Sequence, residues 1–267
     1  MNAKARIDES DRHNFIESCE VSDCSHSLME HVSKLSSPVA IPEDIATAHA
    51  AVVEGNIMAF TEGMSRQNRE DVMDAFLFAT LVANKAFNQQ TDVQDWYRKF
   101  FQVLSYAGFG SRRWDYAQYR ATQKNFSMDQ VGLEIISSIL VAAALPGPAS
   151  LAMLKVAGDA VNALKASEKP LRLFERQTKL HRGGSFRIAS CNEDRDGTVS
   201  VALGAVHFAA RSAVTNVLFW EWNNAEVETH RGEDLLFFNS RHYEKVREAI
   251  QDKLGNSAKT AIEEFEI

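Results

Sequence analysis

The sequence lacks an excess of basic residues and has few cysteines. Its 29 Lys and Arg residues are outnumbered by 36 Asp and Glu, which gives a formal net charge of -7. A protein that tracks the phosphate backbone of nucleic acid needs a basic surface, so we expect no nucleic-acid partner. Three cysteines in 267 residues cannot build a disulfide framework. Such sparse use is typical of a chain made in a reducing cytosol.

A secretory leader is also missing from the amino-terminal segment. Residues 1–15 alternate charged and polar side chains, and they lack the run of about 7–15 apolar residues that a signal peptide requires. We therefore expect synthesis in the cytoplasm without a signal peptide, and any release from the cell to follow another route.

Composition divides the chain into three segments. Residues 1–40 are rich in charge and poor in large apolar side chains, which predicts a mobile tail. Residues 41–180 carry apolar side chains at helical spacing and are predicted to be a helical region. Residues 181–267 switch to a period of two, and we expect this sheet-containing region to form one compact unit with the helices. The predicted helices begin near Pro42, Ser65, Asp92, Ser127, Pro148 and Pro170.

The carboxy-terminal region predicts an antiparallel sheet. Ser185–Cys191 and Thr198–Phe208 read as strands, and the Asp196-Gly197 turn signal between them predicts a hairpin with Cys191 opposite Thr198. Segregated helices and strands indicate the α+β class, with an N-terminal helical bundle packed on a C-terminal antiparallel sheet. The remaining predicted elements are strands over Val214–Trp222, Ala225–Thr229 and Leu235–Phe238, and a closing helix over His242–Leu254.

Cys191 is the side chain on which a functional hypothesis can be built. In the predicted register it shares a sheet face with residues that, apart from Arg187, are small: Ser185, Ala189, Thr198, Ser200, Ala202 and Gly204. Such a face either meets water or leaves volume in which another group can lie. The alternative is an inert thiol at a strand end, which behaves as a small apolar residue.

A catalytic role for Cys191 is a further alternative. Its partner would be His207 or His230, in an acyltransferase or thioester hydrolase that depends on a Cys-His pair. The nearby carboxylates of Glu193 and Asp194 oppose this role, because negative charge disfavours the thiolate. No motif of a cysteine enzyme surrounds the residue, so we predict no catalytic residues as the leading interpretation.

The longest uncharged stretch is Ile135–Leu154. Pro146-Gly147-Pro148 divides it into two arms of about ten residues, too short to cross a hydrocarbon core of roughly 30 Å. A buried helical hairpin is the simplest interpretation. A pore-forming hairpin is the alternative.

Two other groups of residues have side chains that could form a site. Cys19, Cys24, His26 and His31 have the chemistry of zinc ligands, but their spacing matches no usual pattern, so we predict no metal. The aromatic residues between Trp96 and Tyr119 are predicted to be core, with an apolar ligand cavity as the alternative.

The layout of the chain resembles the Evf-type virulence factor family of insect-associated bacteria. The similarity covers most of residues 41–267: a helical stretch, a strand reading GGSFRIASC at 183–191, an FWEW strand at 219–222 and a closing helix. It implies a bacterial virulence or toxin-like protein with a palmitate in thioester linkage to Cys191. The acyl chain would lie in a hydrophobic cavity and serve membrane association in the host.

The resemblance implies no cofactor besides the covalent palmitate, and it names a membrane lipid or fatty acyl donor as the partner. A single acyl chain anchors a protein only marginally. We therefore expect reversible membrane contact. The host partner is not indicated by the sequence.

Overall fold

The computed structural model describes residues 7–24, 47–121, 123–143, 145, 147–181, 183–210, 218–223, 225–255 and 261–267. The helices are α1 (Glu9–Ser18), α2 (Arg66–Ala86), α3 (Val93–Tyr106), α4 (Met128–Ala143), α5 (Gly147–Ala166), α6 (Glu168–Thr178), α7 (Ser240–Glu244) and α8 (Arg247–Leu254). The strands are β1 (His49–Val53), β2 (Asn56–Phe60), β3 (Phe109–Ser111), β4 (Asp115–Tyr119), β5 (Asn125–Ser127), β6 (Lys179–Leu180), β7 (Gly183–Glu193), β8 (Val199–Ala210), β9 (Glu221–Asn223), β10 (Val227–Phe238) and β11 (Ile262–Glu266).

A mixed sheet forms the middle layer of the fold. Its strand order is β11-β1-β2-β7-β8-β10-β3, with β4 also paired to β10 and β6 to β7. The β2–β7 pair is parallel, and the other pairs described in this sheet are antiparallel. Strands β5 and β9 form a separate two-stranded sheet. The predicted α+β class is confirmed.

Helices cover both faces of the sheet. One hydrophobic core joins it to α1, α2, α3, α7 and α8, and a second core joins it to α4, α5 and α6. Alternate strand residues serve the two cores: Phe60 enters the first, and Ile57 enters the second. The helices lie on both sides of the sheet because strands that are apolar on both faces must be covered twice.

The segment 49–60 is a β-hairpin and not part of the helix predicted to begin at Pro42. Glu54 and Gly55 form its turn, with φ of 40° and 77°. Two successive positive φ values match the twist of the flanking strands, as in the favoured two-residue hairpin turns. The helical region predicted over 41–180 thus supplies two inner strands of the sheet, while Pro42 itself lies outside the described residues.

Several predicted helix starts are confirmed by their caps. Ser65 accepts a hydrogen bond from the Asn68 amide at the start of α2, and the Ser127 amide donates to the Gln130 side chain at the start of α4. The closing helix is divided into α7 and α8, and Asn239 caps the first of them.

Strand boundaries in the carboxy-terminal region were predicted less well. The two short strands predicted over 225–229 and 235–238 are parts of the single strand β10. Of the strand predicted over 214–222, residues 214–217 lie outside the described part of the chain, and only its end coincides with β9.

Helix α1 lies inside the segment predicted as a mobile tail. Ile16 is fully buried in the first core, and Phe15 stacks on Tyr106 with ring centres 3.9 Å apart. Arg12 donates to the carbonyl oxygens of Ser105 and Tyr106, at the carboxyl end of α3. A cation in this position satisfies helix carbonyls and complements the helix dipole. Residues 9–18 are therefore a docked helix.

Candidate functional site

Cys191 lies opposite Val201, and not opposite Thr198 as predicted. The β7–β8 loop determines this register: the Asp194 amide donates to the Thr198 carbonyl at 3.0 Å, and Gly197 has φ of 77°. The Asp194 carboxylate also accepts from the Thr198 amide at 2.8 Å. These contacts close a three-residue loop, the second most common hairpin type. The predicted turn is in the right place, but its register is wrong by three residues.

Because of this shift, the opposite face of β8 lies beside Cys191. Val201 and Leu203 lie in the same core as Cys191, with Phe60 opposite it on β2. The predicted face of small residues is therefore wrong. An odd shift exchanges the two faces of a strand.

The small residues of β7 and β8 instead accommodate helices on the other face. A Cβ on Gly204 would lie 3.0 Å from an Ile135 side-chain carbon of α4, and the Ser190 hydroxyl donates to the Met153 carbonyl of α5 at 2.7 Å. Close approach of α4 and α5 to the sheet accounts for these side chains without a ligand.

The Cys191 thiol is fully buried among apolar side chains. Burial raises its pKa well above the usual value, because an apolar environment disfavours the thiolate. The cavities described around α3, α7, β4 and β5 are lined by other residues. In this conformation the thiol is protonated and is not a nucleophile.

The structure brings His207 and His230 together but not with Cys191. These histidines face each other across β8 and β10. His207 lies six positions along β8 from Val201, the partner of Cys191, which is about 20 Å at 3.3 Å per residue. His207 and His230 therefore do not form a catalytic pair with Cys191.

The cysteines of the amino-terminal segment are also buried. Cys19 and Cys24 both lie in the first core, while His26 and His31 fall outside the described residues. Within the described ranges, no group of three or more His, Cys, Asp or Glu side chains is arranged to hold a metal ion.

The predicted aromatic cluster is core. Trp96 and Phe100 stack with ring centres 5.3 Å apart, as their spacing of four on one helix predicts. The cluster covers the buried guanidinium of Arg187, whose central carbon lies 4.7 Å from the Trp96 ring centre. Arg187 donates to Asn56 at 2.6 Å and to the Glu54 carbonyl at 2.9 Å. Sequence reasoning placed Arg187 on a strand face but missed this buried polar contact.

The uncharged stretch forms two helices on the second core. Helix α4 ends at Ala143 and α5 begins at Gly147, which confirms the predicted break. Ile135, Ile136 and Met153 are buried against the sheet. Over the described residues, no helix combines the length and apolar character needed to span a membrane.

The end of this helical pair exposes apolar side chains, a feature that the interpretation as a fully buried hairpin missed. We define the hairpin tip as Val141, Ala142, Leu151, Ala152 and Leu154. Val141 is 81% exposed and Leu151 is 70% exposed. Arg112, exposed beside the tip, donates to the Ala143 carbonyl at the end of α4 at 3.2 Å.

No family model matches the chain, and no curated protein matches it. The chain is similar to the solved structure of a delta-endotoxin, with 10% identity and a TM-score of 0.37, over 79% of this chain and 90% of that chain. It is also similar to the structure of the Evf virulence factor, with 12% identity and a TM-score of 0.31, over 82% of this chain and 84% of that chain. At these identities and TM-scores, neither similarity carries a conclusion about activity.

Proposed function

We propose that this chain is a virulence- or toxin-like protein that associates reversibly with membranes through its hairpin tip. The observation that carries the proposal is the exposure of Val141 and Leu151, which lie within the uncharged stretch 135–154 at the end of the α4–α5 pair. Exposed apolar groups clustered at one point are typical of interaction sites, whereas single exposed side chains are not.

The expected strength of this contact follows from the side chains involved. Full transfer of a valine or leucine side chain out of water contributes about 1.5–3 kcal/mol. Insertion of Val141 and Leu151 would thus supply about 3–6 kcal/mol, the range of a weak anchor. Lys155 and Asp159, paired at 2.6 Å on α5, lie close behind the tip and oppose deeper insertion. The tip therefore fits peripheral contact better than a spanning pore.

The test is co-sedimentation of the protein with vesicles of phosphatidylcholine and phosphatidylserine. Val141→Asp and Leu151→Asp should each reduce the bound fraction at least several-fold, with little change in melting temperature. Trp220→Asp is the matched control, because Trp220 is exposed and lies near the other end of α4. Binding by the tip variants at the wild-type level would refute the proposal. Release of a trapped dye by the wild-type protein would instead support the pore-forming alternative.

A thioester-linked palmitate on Cys191 is the second part of the proposed function, carried from the family resemblance. What supports it structurally is the apolar layer that Cys191 shares with Phe60, Val201 and Leu203, in which an acyl chain would be shielded from water. Full burial of the thiol requires that acylation precede the packing of the first core, or that this core open to admit the acyl chain.

Intact mass spectrometry of protein from its native host tests this modification. We expect an added acyl mass that hydroxylamine removes and that Cys191→Ser abolishes, whereas Cys19→Ser leaves it in place. An unmodified mass in the native host would contradict acylation without affecting the hairpin tip. A Cys-His enzyme receives no support from the geometry, because the two groups are far apart.

A further inference from the structure

Phe237, near the end of β10, is a large apolar side chain that the fold leaves 39% exposed. Alternate residues of a strand face opposite sides of the sheet, so Phe237 lies on the same side as Leu235, which belongs to the second core. Leu235 is only 4% exposed. The helices that cover this side of the sheet therefore stop short of Phe237.

Arg112 connects this part of β10 with the hairpin tip. Its amide donates to the Leu235 carbonyl at 3.2 Å, and its guanidinium Nη1 donates to the Ala143 carbonyl at 3.2 Å. One arginine residue thus joins β10 to the last residue of α4, two positions after Val141. Phe237 and the hairpin tip therefore lie at the same end of the second core.

Exposed apolar side chains are concentrated at this end of the molecule. Five large apolar side chains are exposed in the described part of the chain, and Trp220 is the one that lies elsewhere. A contiguous apolar surface is typical of an interaction site. The other four are Val141, Leu151, Leu154 and Phe237.

The exposed guanidinium of Arg112 has donors that are not used within the described residues. Its Nη1 is bonded to Ala143, but its Nε and Nη2 have no acceptor there, and its charge has no carboxylate partner. Asp234, the neighbouring carboxylate on β10, is buried on the other side of the sheet, where it accepts from the Arg113 amide at 2.9 Å. Two adjacent guanidinium donors suit the oxygens of a phosphate group.

We propose that the hairpin tip, Phe237 and Arg112 form one docking surface for a zwitterionic phospholipid such as phosphatidylcholine. Arg112 binds the lipid phosphate, and Phe237 enters the boundary of the acyl layer beside Val141 and Leu151. Recognition of phosphate rests on the proposed function, since it presupposes membrane contact at the hairpin tip.

The charges around this surface favour a zwitterionic lipid over an anionic one. Phe237 pairs with Ser200, two residues after the β7–β8 loop that carries the exposed carboxylates of Asp194 and Asp196. The chain as a whole has a net charge of -7. Both repel a bilayer of negative surface potential, whereas the phosphate of phosphatidylcholine is available to Arg112 without a net negative charge.

The test compares vesicles of phosphatidylcholine with vesicles of digalactosyldiacylglycerol, a lipid that has acyl chains but no phosphate. Arg112→Gln should lower the partition coefficient about three-fold or more on phosphatidylcholine and leave it unchanged on the galactolipid, because only the contact with phosphate is lost. Arg98→Gln, on α3 at the other side of the sheet, should bind both vesicle types as the wild type does. Wild-type binding of Arg112→Gln to phosphatidylcholine, or an equal loss on both lipids, would overturn the proposal.

Phe237→Ser tests the apolar part of the surface. It should weaken binding to both vesicle types about ten-fold, because the transfer of a phenylalanine ring out of water is lost. Trp220→Ser, at the other exposed aromatic position, should bind as the wild type does. Wild-type binding of Phe237→Ser would remove this residue from the surface and contradict the proposal. If Phe237→Ser does not fold, Arg112→Gln, at an exposed position, decides.

Val141→Asp separates the two levels of the proposal. If Val141→Asp binds phosphatidylcholine as the wild type does, membrane contact through the hairpin tip fails, and recognition of phosphate fails with it. If Val141→Asp loses binding while Arg112→Gln does not, only recognition of phosphate fails.

Discussion

Acid should destabilise this protein largely through His207. Burial, with a smaller contribution from the neighbouring His230, lowers the pKa of His207 to about 4, whereas an unfolded histidine titrates near 6.5. Between these values the unfolded chain binds a proton that the folded chain does not. Stability is therefore complete above about pH 6.5 and falls as the pH decreases toward about 4.

The size of the effect follows from the two pKa values. A shift of about 2.5 pH units corresponds to about 3 kcal/mol when fully developed, of which about 2 kcal/mol is lost at about pH 5. Glu264 also makes stability depend on pH, but it does so over a lower pH range than His207. Glu264 accepts a hydrogen bond from His49, which lowers the pKa of its carboxyl. Its contribution is present above the usual carboxyl range and is lost only at lower pH.

Urea unfolding at about pH 7.5 and about pH 5 measures this loss of free energy. His207→Gln removes the titrating group, so the difference between the two pH values should shrink by about 2 kcal/mol. His13→Gln, at an exposed position on α1, should leave the difference unchanged. If His207→Gln retains the full acid sensitivity, the stability argument fails and the assignment of its low pKa is wrong.

Three further predictions concern the core. Arg247→Met removes both short hydrogen bonds to the buried Asp71 carboxylate, so chemical denaturation should show a loss of about 2–4 kcal/mol, and an unchanged value would contradict the pairing. Gly183→Ala should abolish soluble expression, because the added Cβ would lie 1.9 Å from a β8 carbonyl oxygen. Gly158→Ala in α5 is the contrasting variant: its Cβ would have no atom within 4 Å, so the higher helix propensity of alanine should raise the melting temperature. In a variant that carries Cys19→Ser and Cys24→Ser, the remaining thiol of Cys191 should react with a thiol reagent only at the rate at which the protein unfolds. Faster labelling would contradict the burial of Cys191.

The helices were predicted well because their signals are local. Ser65, Asp92 and Ser127 each mark a helix start within one residue of the observed boundary. At Ser65 and Ser127 the cap hydrogen bonds join residues three positions apart, so a short window of sequence contains the whole interaction. The Asp92 side chain makes no cap hydrogen bond, although α3 does begin after it. The break before α5 is local in the same way.

The central sheet was predicted less completely because its pairing is long-range. Strand β2 pairs in parallel with β7, more than a hundred residues later. The Glu54-Gly55 turn is a local signal that could have identified β1 and β2, but the alanine-rich composition of that segment favoured a helix. Its place beside β7 depends on helices that cover both faces, which no single segment reveals.

The β7–β8 loop determines which side chains surround Cys191. The turn was located correctly at Asp196-Gly197, yet a loop that closes on Asp194 and Thr198 shifts β8 by three residues. That shift exchanges an open face of small side chains for one that contains Val201 and Leu203. Room for an acyl chain therefore requires that the first core open beside Cys191. The hairpin tip requires no such movement, since its apolar side chains are already exposed, and membrane contact can be tested there without the lipid.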